Sequence, residues 1–303
     1  MTAKTLRLTS IWAYLQLMRP ANILTAWADI LLGFAAAGVV TRETINLDWL
    51  NLVWLVLATT GLYGGGVVFN DVCDAELDAV ERPERPLPSK QASLSGAIAL
   101  GIILLIVGVW AAFQVSSISS VFAIVVAITA LVYDQFGKHH PWLGPVNMGL
   151  CRGFNLLLGV SVVPEALSDR WYLAIIPIVY IAAITAIARG EVTGGSKTTG
   201  ILAIGLVTIA ISIILSLGVL PSYNLLVALP FLSLFGFLVV PAFVKATIEP
   251  TALLIQAAVK TGILALIILD ATIAAGFSNL IYGLLVLALL PVSRMLARLF
   301  AVT

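Results

Sequence analysis

The sequence predicts an all-α, polytopic membrane helical bundle, and three observations carry that prediction. Of the 303 residues, 61% are hydrophobic and only 10% are charged, with a mean hydropathy of +1.09; soluble domains run at about 45–50% apolar and about 25% charged. A spanning helix takes about 20 apolar residues. Ten such runs occur, bounded by charge, Pro or Gly: 22–40, 50–69, 94–113, 117–133, 143–163, 171–188, 200–219, 223–243, 255–275 and 278–299. Little chain is left over, so 1–303 reads as one membrane domain. The net charge of +1 argues against nucleic acid, whose recognition needs a strongly basic face. Cys73 and Cys151 read as free thiols.

Before the first run, Met1 to Arg19 has no long apolar stretch, so a short interfacial helix carrying Trp12 and Tyr14 is expected rather than a cleaved leader. The first run contains Asp29. The second carries Gly64-Gly65-Gly66, suited to close packing or a local bend, and leads directly into Asn70-Asp71-Val72-Cys73-Asp74-Ala75-Glu76-Leu77-Asp78. If that helix continues, Asn70, Asp74 and Asp78 stand at i, i+4 and i+8 on one face. Three oxygen-bearing side chains so placed repel one another unless a cation sits among them. Magnesium usually takes one or two carboxylates and completes its shell with substrate phosphates and waters, so the pattern points to diphosphate binding. The alternative is a solvated helix end whose carboxylates contact Arg82 and Arg85. Glu81 to Lys90 follows, with three prolines that forbid a regular helix and two arginines able to fork onto phosphate oxygens, or serving only as topology determinants.

The third and fourth runs are joined by a short connection, and the fourth ends in Tyr133-Asp134-Gln135-Phe136-Gly137-Lys138. The neighbouring His139-His140 pair points apart on a helix and lacks further ligands for a metal. The fifth run carries Arg152, with Asn147 and Asn155 loosely on the same side. These three line the acceptor end of a cavity or join helices through hydrogen bonds. Between the sixth and seventh runs lies Arg189-Gly190-Glu191 and then Gly194-Gly195-Ser196-Lys197, which resembles a phosphate nest only weakly. Asp270 stands near the end of the ninth run. Ionisable groups inside spans usually face the bundle or a wet cavity.

With the N-terminus in the cytoplasm, Lys4, Arg7, Arg19, Arg82, Arg85, Lys90, Lys138, Arg189, Lys197, Lys245, Arg294 and Arg298 all fall inside. Only Arg42 and Arg170 fall outside. The positive-inside rule therefore predicts this orientation, with any chemistry on the cytoplasmic side of a membrane such as the bacterial inner membrane.

The stretch from Asn70 to Ser89 resembles the first aspartate-rich motif of the UbiA superfamily of intramembrane prenyltransferases, Asn-Asp-x-x-Asp-x-x-x-Asp followed by Arg-Pro-x-Pro-Ser. Its wording is most similar to the branch found in ebo gene clusters. The likeness runs from Arg19-Pro20 to at least Lys197-Thr198-Thr199. It implies a bundle of nine spans around a central cavity, which the tenth run here would extend, and a Mg2+-dependent transfer of a prenyl group from a polyprenyl diphosphate to a small polar, aromatic or cyclitol-like acceptor. Carried over residue by residue, it implies Asn70, Asp71, Asp74, Asp78 and Glu191 as metal residues, and Arg82, Arg85, Lys138, Arg189 and Lys197 on the diphosphate. Asp74, Asp78, Lys138 and Tyr133 are the catalytic candidates, and Asn22, Asn147, Arg152 and Asn155 the acceptor or cavity candidates. Two places depart from the family pattern. Four residues rather than three separate Tyr133 from Lys138, and at the second acidic motif only Glu191 is acidic, with Ile187 at the other position. A diphosphate-binding carrier without turnover and a terpene-synthase-like cyclase are the competing readings.

Overall fold

The computed structural model describes residues 11–40, 48–140, 142–192 and 194–300, and their regular structure is helical. The first nine apolar runs correspond to α1 (Pro20–Ala36), α2 (Trp49–Cys73), α4 (Leu94–Phe113), α5 (Ser117–Gln135), α6 (Leu143–Val160), α8 (Ile175–Ala188), α9 (Lys197–Ser216), α10 (Leu225–Ile248) and α11 (Ala252–Phe277). The tenth is divided into α12 (Leu280–Leu287) and α13 (Leu289–Leu296), and two short helices, α3 (Ala75–Glu81) and α7 (Ala166–Arg170), complete the set. Seven stretches among the described residues are long and apolar enough to cross a membrane. The shorter α1, the divided α12–α13 and the polar-studded α6 account for the other three runs. The chain is an integral, multi-pass membrane protein.

Helix starts follow from local chemistry. Ser93, Ser116 and Ser196 each accept a hydrogen bond from the backbone N–H three residues on, at 3.0–3.1 Å, satisfying a donor that the first helical turn leaves open. Asp48, Asn224, Thr251 and Asn279 do the same for α2, α10, α11 and α12. Ser196 thus caps α9, and the weak nest reading of Gly194-Gly195 gives way to an ordinary capped helix start.

The helices close into a ring. α1 packs against α2, α6 and α11, α2 against α4 and α5, α5 against α6, α6 against α8, and α8 against α9 and α11. Two crossings depend on glycine. A Cβ on Gly33 of α1 would lie 2.5 Å from backbone atoms of Gly159 on α6, and one on Gly61 of α2 would lie 2.4 Å from the Leu104 carbonyl oxygen on α4. The Gly64–Gly66 run serves packing rather than bending: α2 continues through it, and a Cβ on Gly65 would meet the Leu105 side chain at 2.8 Å.

Residues 11–17 are helical ahead of α1, with Ala13 and Leu17 buried, Trp12 stacked on Phe300 at 4.5 Å, and the Tyr14 hydroxyl 3.2 Å from Ser93 Oγ. The rest of that expected interfacial helix lies outside the described residues, as do Lys4, Arg7 and Arg42 and the His139 side chain. At the end of the bundle away from Arg82 and Arg85, Arg170 donates to the Ala36 carbonyl at 3.0 Å and lies over the Phe277 ring at 4.9 Å.

Candidate active site

α2 gives way to α3 at a single residue, Asp74, with φ −92° and ψ 3°. The backbone bonds Asp74 N–H to Asn70 C=O (3.0 Å), Asp78 N–H to Asp74 C=O (2.8 Å) and Arg82 N–H to Asp78 C=O (2.9 Å) carry the helical repeat across this junction. The i, i+4, i+8 face therefore survives, and Asn70, Asp74 and Asp78 all line a cavity of about 410 Å³. Asp71, one position on from Asn70, is turned about 100° round the helix and is absent from the cavity wall.

The cavity has two parts. Its mouth is made by Arg19, Asn70, Asp74, Asp78, Glu81, Arg82, Arg85, Tyr133, Asp134, Lys138 and Glu191; its inner part is walled mainly by apolar side chains of α2, α5, α6, α8 and α11. Across the whole wall, five acidic and five basic side chains balance. Most are already paired. Arg85 donates to Asp78 at 2.7 Å and to Asp71 at 3.4 Å, Arg19 donates to Asp71 at 2.7 Å, Lys138 bonds Asp74, and Arg82 stands 3.9 Å from Glu191.

Arg19 takes up a left-handed conformation, φ 48° and ψ 66°, immediately before Pro20. Proline disfavours the right-handed helical region for the residue before it, and the bond to Asp71 holds the guanidinium at the mouth. Burial pushes the Glu191 carboxyl above its ordinary value, against the opposing pull of Arg82, Arg19 and Arg85. Its Oε1 is buried without a donor.

Deeper in, Arg152 and Asn155 line the wall while most of their polar atoms hold helices together. Arg152 donates to the Thr25 carbonyl at 2.9 Å and its Nε lies 3.2 Å from Asp29 Oδ2. Asn155 donates to Asp29 at 2.7 Å and to the Ala26 carbonyl at 3.0 Å, and accepts from Thr59 at 2.7 Å. Of the two roles open to them from the sequence, the helix-joining one is realised in these bonds. Asn22 also lines the cavity.

Besides Asp71, three more expected site residues lie elsewhere. Asn147 is off the cavity wall, with its side-chain amide 3.1 Å from both the Thr129 carbonyl and the Tyr133 N–H, where it bridges α5 and α6. Arg189 is exposed and donates to the His140 carbonyl at 2.9 Å, pinning the end of α8 to the turn before α6. Lys197 is exposed at the first position of α9, because Ser196 starts that helix there and the following turn carries the lysine away. Ile187 is buried in the apolar core, so the second acidic motif contributes Glu191 alone. Tyr133 lines the cavity.

Among the wall residues with no site role from the sequence are Arg19, visible only in the opening Arg-Pro, and Asp134, visible as an acid at the inner end of an apolar run. Asp134 is 4% exposed and its Oδ1 accepts a 2.9 Å bond from the Asn70 amide.

Comparison with known proteins gives the site its context. Residues 31–249 match the UbiA prenyltransferase family. The chain belongs to that family. Among curated relatives of this UbiA protein, the digeranylgeranylglyceryl phosphate synthase of Methanoculleus marisnigri is 32% identical over 151 residues, 50% of this chain and 51% of the relative. That of Saccharolobus solfataricus is 30% identical over 179 residues, 59% and 61% of the two chains. The chain thus spans about half to three fifths of the length of these relatives. In fold it is similar to a UbiA homologue from Aeropyrum pernix (TM-score 0.68, 15% identity, 83% of this chain and 96% of that one) and to one from Archaeoglobus fulgidus bound to GPP and Mg2+ (0.64, 16%, 91% and 99%).

A magnesium ion suits the donors at this mouth. The side chains offer only oxygen, and two carboxylate oxygens, Asp134 Oδ2 and Glu191 Oε1, are buried without a donor. Hard divalent ions favour such a set. Among the described residues, no three His, Cys, Asp or Glu side chains converge on one point as a closed metal site. Of the five ligands expected from the sequence, Asn70, Asp74, Asp78 and Glu191 line the cavity, while Asp71 is committed to Arg19 and Arg85. The geometry suits an ion that brings phosphate oxygens and waters with it.

Proposed function

We propose that this protein is a Mg2+-dependent intramembrane prenyltransferase that moves a prenyl group from a polyprenyl diphosphate to a small polar or aromatic acceptor. The observation carrying the reading is a single cavity that joins a mouth of paired charges to an apolar interior. Such a cavity matches a molecule with an anionic head and a hydrocarbon tail. Asp74 and Asp78, with Asn70 and Glu191, hold the metal side of the head. Arg82, Arg85, Lys138 and Arg19 exchange their carboxylate partners for phosphate oxygens, where negative charge develops as the C1–O bond breaks. A magnesium ion held by these residues would supply further neutralisation of the departing diphosphate's charge. The allylic carbon, having lost its electron pair to the diphosphate oxygen, takes one from the acceptor, which then gives up a proton. Tyr133, on the cavity wall, supplies an aromatic ring suited to a carbocation, and Ile181, Ile184, Val259, Ile263 and Leu266 give the tail a dry wall.

The mouth faces the cytoplasm in this reading, as the loop charges favour, and 1–303 acts as one domain in a membrane such as the bacterial inner membrane. The wording of the first motif supports a place in the ebo-cluster branch, as EboC. The curated relatives add a further acceptor class, a glyceryl phosphate lipid, to the aromatic and cyclitol-like ones.

The test is diphosphate release from geranylgeranyl and farnesyl diphosphate by the purified protein in detergent with Mg2+, with and without aromatic, cyclitol and glyceryl phosphate acceptors. Acceptor-dependent release that Asp74→Ala abolishes is expected. Release independent of any acceptor would replace transfer with cyclisation or hydrolysis. Binding with no release under any combination would move the protein to a carrier role.

A further inference from the structure

We propose that Asp134, a carboxylate outside both acidic motifs, is a metal ligand that works together with Asp74 and Asn70. The inference rests on reading the mouth as a magnesium diphosphate site. Asp134 belongs to the last turn of α5, is 4% exposed and lines the cavity. Its Oδ1 accepts the Asn70 amide at 2.9 Å, but its Oδ2 is buried and receives no hydrogen bond. A buried carboxylate oxygen without a donor is costly and calls for a bound cation or water.

The neighbours favour the cation. Because the Asn70 nitrogen points at Asp134, the Asn70 carbonyl oxygen is turned away from it and left free as a neutral ligand. Asp74 lies within electrostatic reach of Asp134, and Lys138 acts on both, bonding Asp74 directly. Two carboxylates and an amide oxygen form the partial, all-oxygen shell that magnesium completes with phosphate and water. Asn70 and Asp74 come from the end of α2 and Asp134 from α5, so the ion would tie together two helices that the sequence separates by some sixty residues. The competing role is purely one of positioning, in which Asp134 orients Asn70 and a buried water occupies Oδ2.

The experiment is Mn2+ binding to the full-length protein in detergent micelles with inorganic diphosphate, read by loss of the free Mn2+ EPR signal, for the wild type, Asp134→Asn and Asp134→Glu. Asparagine can still accept from Asn70 and so keeps the positioning bond, which leaves Mn2+ affinity nearly unchanged if positioning is the whole role; loss of a ligand weakens it by at least the roughly 10-fold that loss of an outer-shell partner costs. The expected result is that weakening in Asp134→Asn, with Asp134→Glu staying close to the wild type. Equal affinity in the wild type and Asp134→Asn overturns the proposal and leaves the diphosphate site standing. No Mn2+ binding by the wild type overturns the site reading itself and this proposal with it. If Asp134→Asn yields no folded protein, the Glu variant decides: an intact fold with Mn2+ binding weakened as far as removal of the carboxylate would weaken it refutes the ligand role.

Discussion

Replacing Arg152 with methionine is the sharpest test of how the deep wall is held. Asp29 is 0% exposed, and its Oδ2 receives only Asn155 at 2.7 Å and the Arg152 Nε at 3.2 Å. The substitution therefore leaves a wholly buried carboxylate with one neutral amide donor and the buried Asp270 carboxyl beside it, and the Thr25 carbonyl loses its 2.9 Å donor. Breaking a buried pair in this way costs about 3–5 kcal/mol, most of it the uncompensated charge rather than the lost attraction. Asp29→Asn in the same chain removes that charge, so the double variant is expected to recover about 2–3 kcal/mol of the loss. Thermal unfolding in detergent micelles, compared across the wild type, both single variants and the double, reads out the cycle. Single variants that each cost under about 1 kcal/mol and simply add would refute the account of Arg152 and Asp29 as one coupled unit.

Other perturbations probe the packing, the caps and the mouth. Gly33→Ala forces α1 and α6 apart and is expected to cost about 1–3 kcal/mol, whereas Gly205→Ala, with nothing within 4 Å of its Cβ, leaves the unfolding midpoint unchanged or slightly raised. Ser196→Ala removes the cap of α9 and is expected to lower stability by about 1 kcal/mol in the same assay. Arg85→Gln leaves the Asp78 side chain, 7% exposed, without its cation, and is expected to weaken prenyl diphosphate binding by about 10-fold or more in a titration with a non-hydrolysable analogue. The raised Glu191 carboxyl contributes stability that is fully present below its ordinary value of 4.5 and is lost as pH rises through the higher folded value. In metal-free buffer, Glu191→Gln is therefore expected to gain stability relative to the wild type as pH rises through that interval; a difference that stays flat with pH would refute the assignment.

The spans were legible because hydrocarbon imposes length and apolarity on each helix, and boundaries such as Leu94–Phe113 fall where the run itself ends. The first acidic motif was legible for a similar reason: three residues on one helical face stay together whatever lies opposite. Residues whose partners come from distant segments were harder to place. Nothing local to Asp134 announces Asn70 as its neighbour, and nothing in Lys197 reveals that a serine cap directs it into solvent. Asn147 and Arg152 look alike in sequence as polar residues in one span. Only the neighbouring helices decide that one meets the backbone of α5 and the other meets Asp29.

The near-balance of acids and bases around the cavity has a kinetic meaning. A cleft with a large single-sign potential draws its ligand from a distance and loses that advantage as salt shortens the Debye length to about 8 Å at physiological strength. At this mouth four bases stand among five acids, so no net positive field draws an anion from a distance, and it is recognised on contact, when an arginine can trade one oxygen partner for another. Capture should accordingly be nearly indifferent to ionic strength, and discrimination should come from the fit of that exchange.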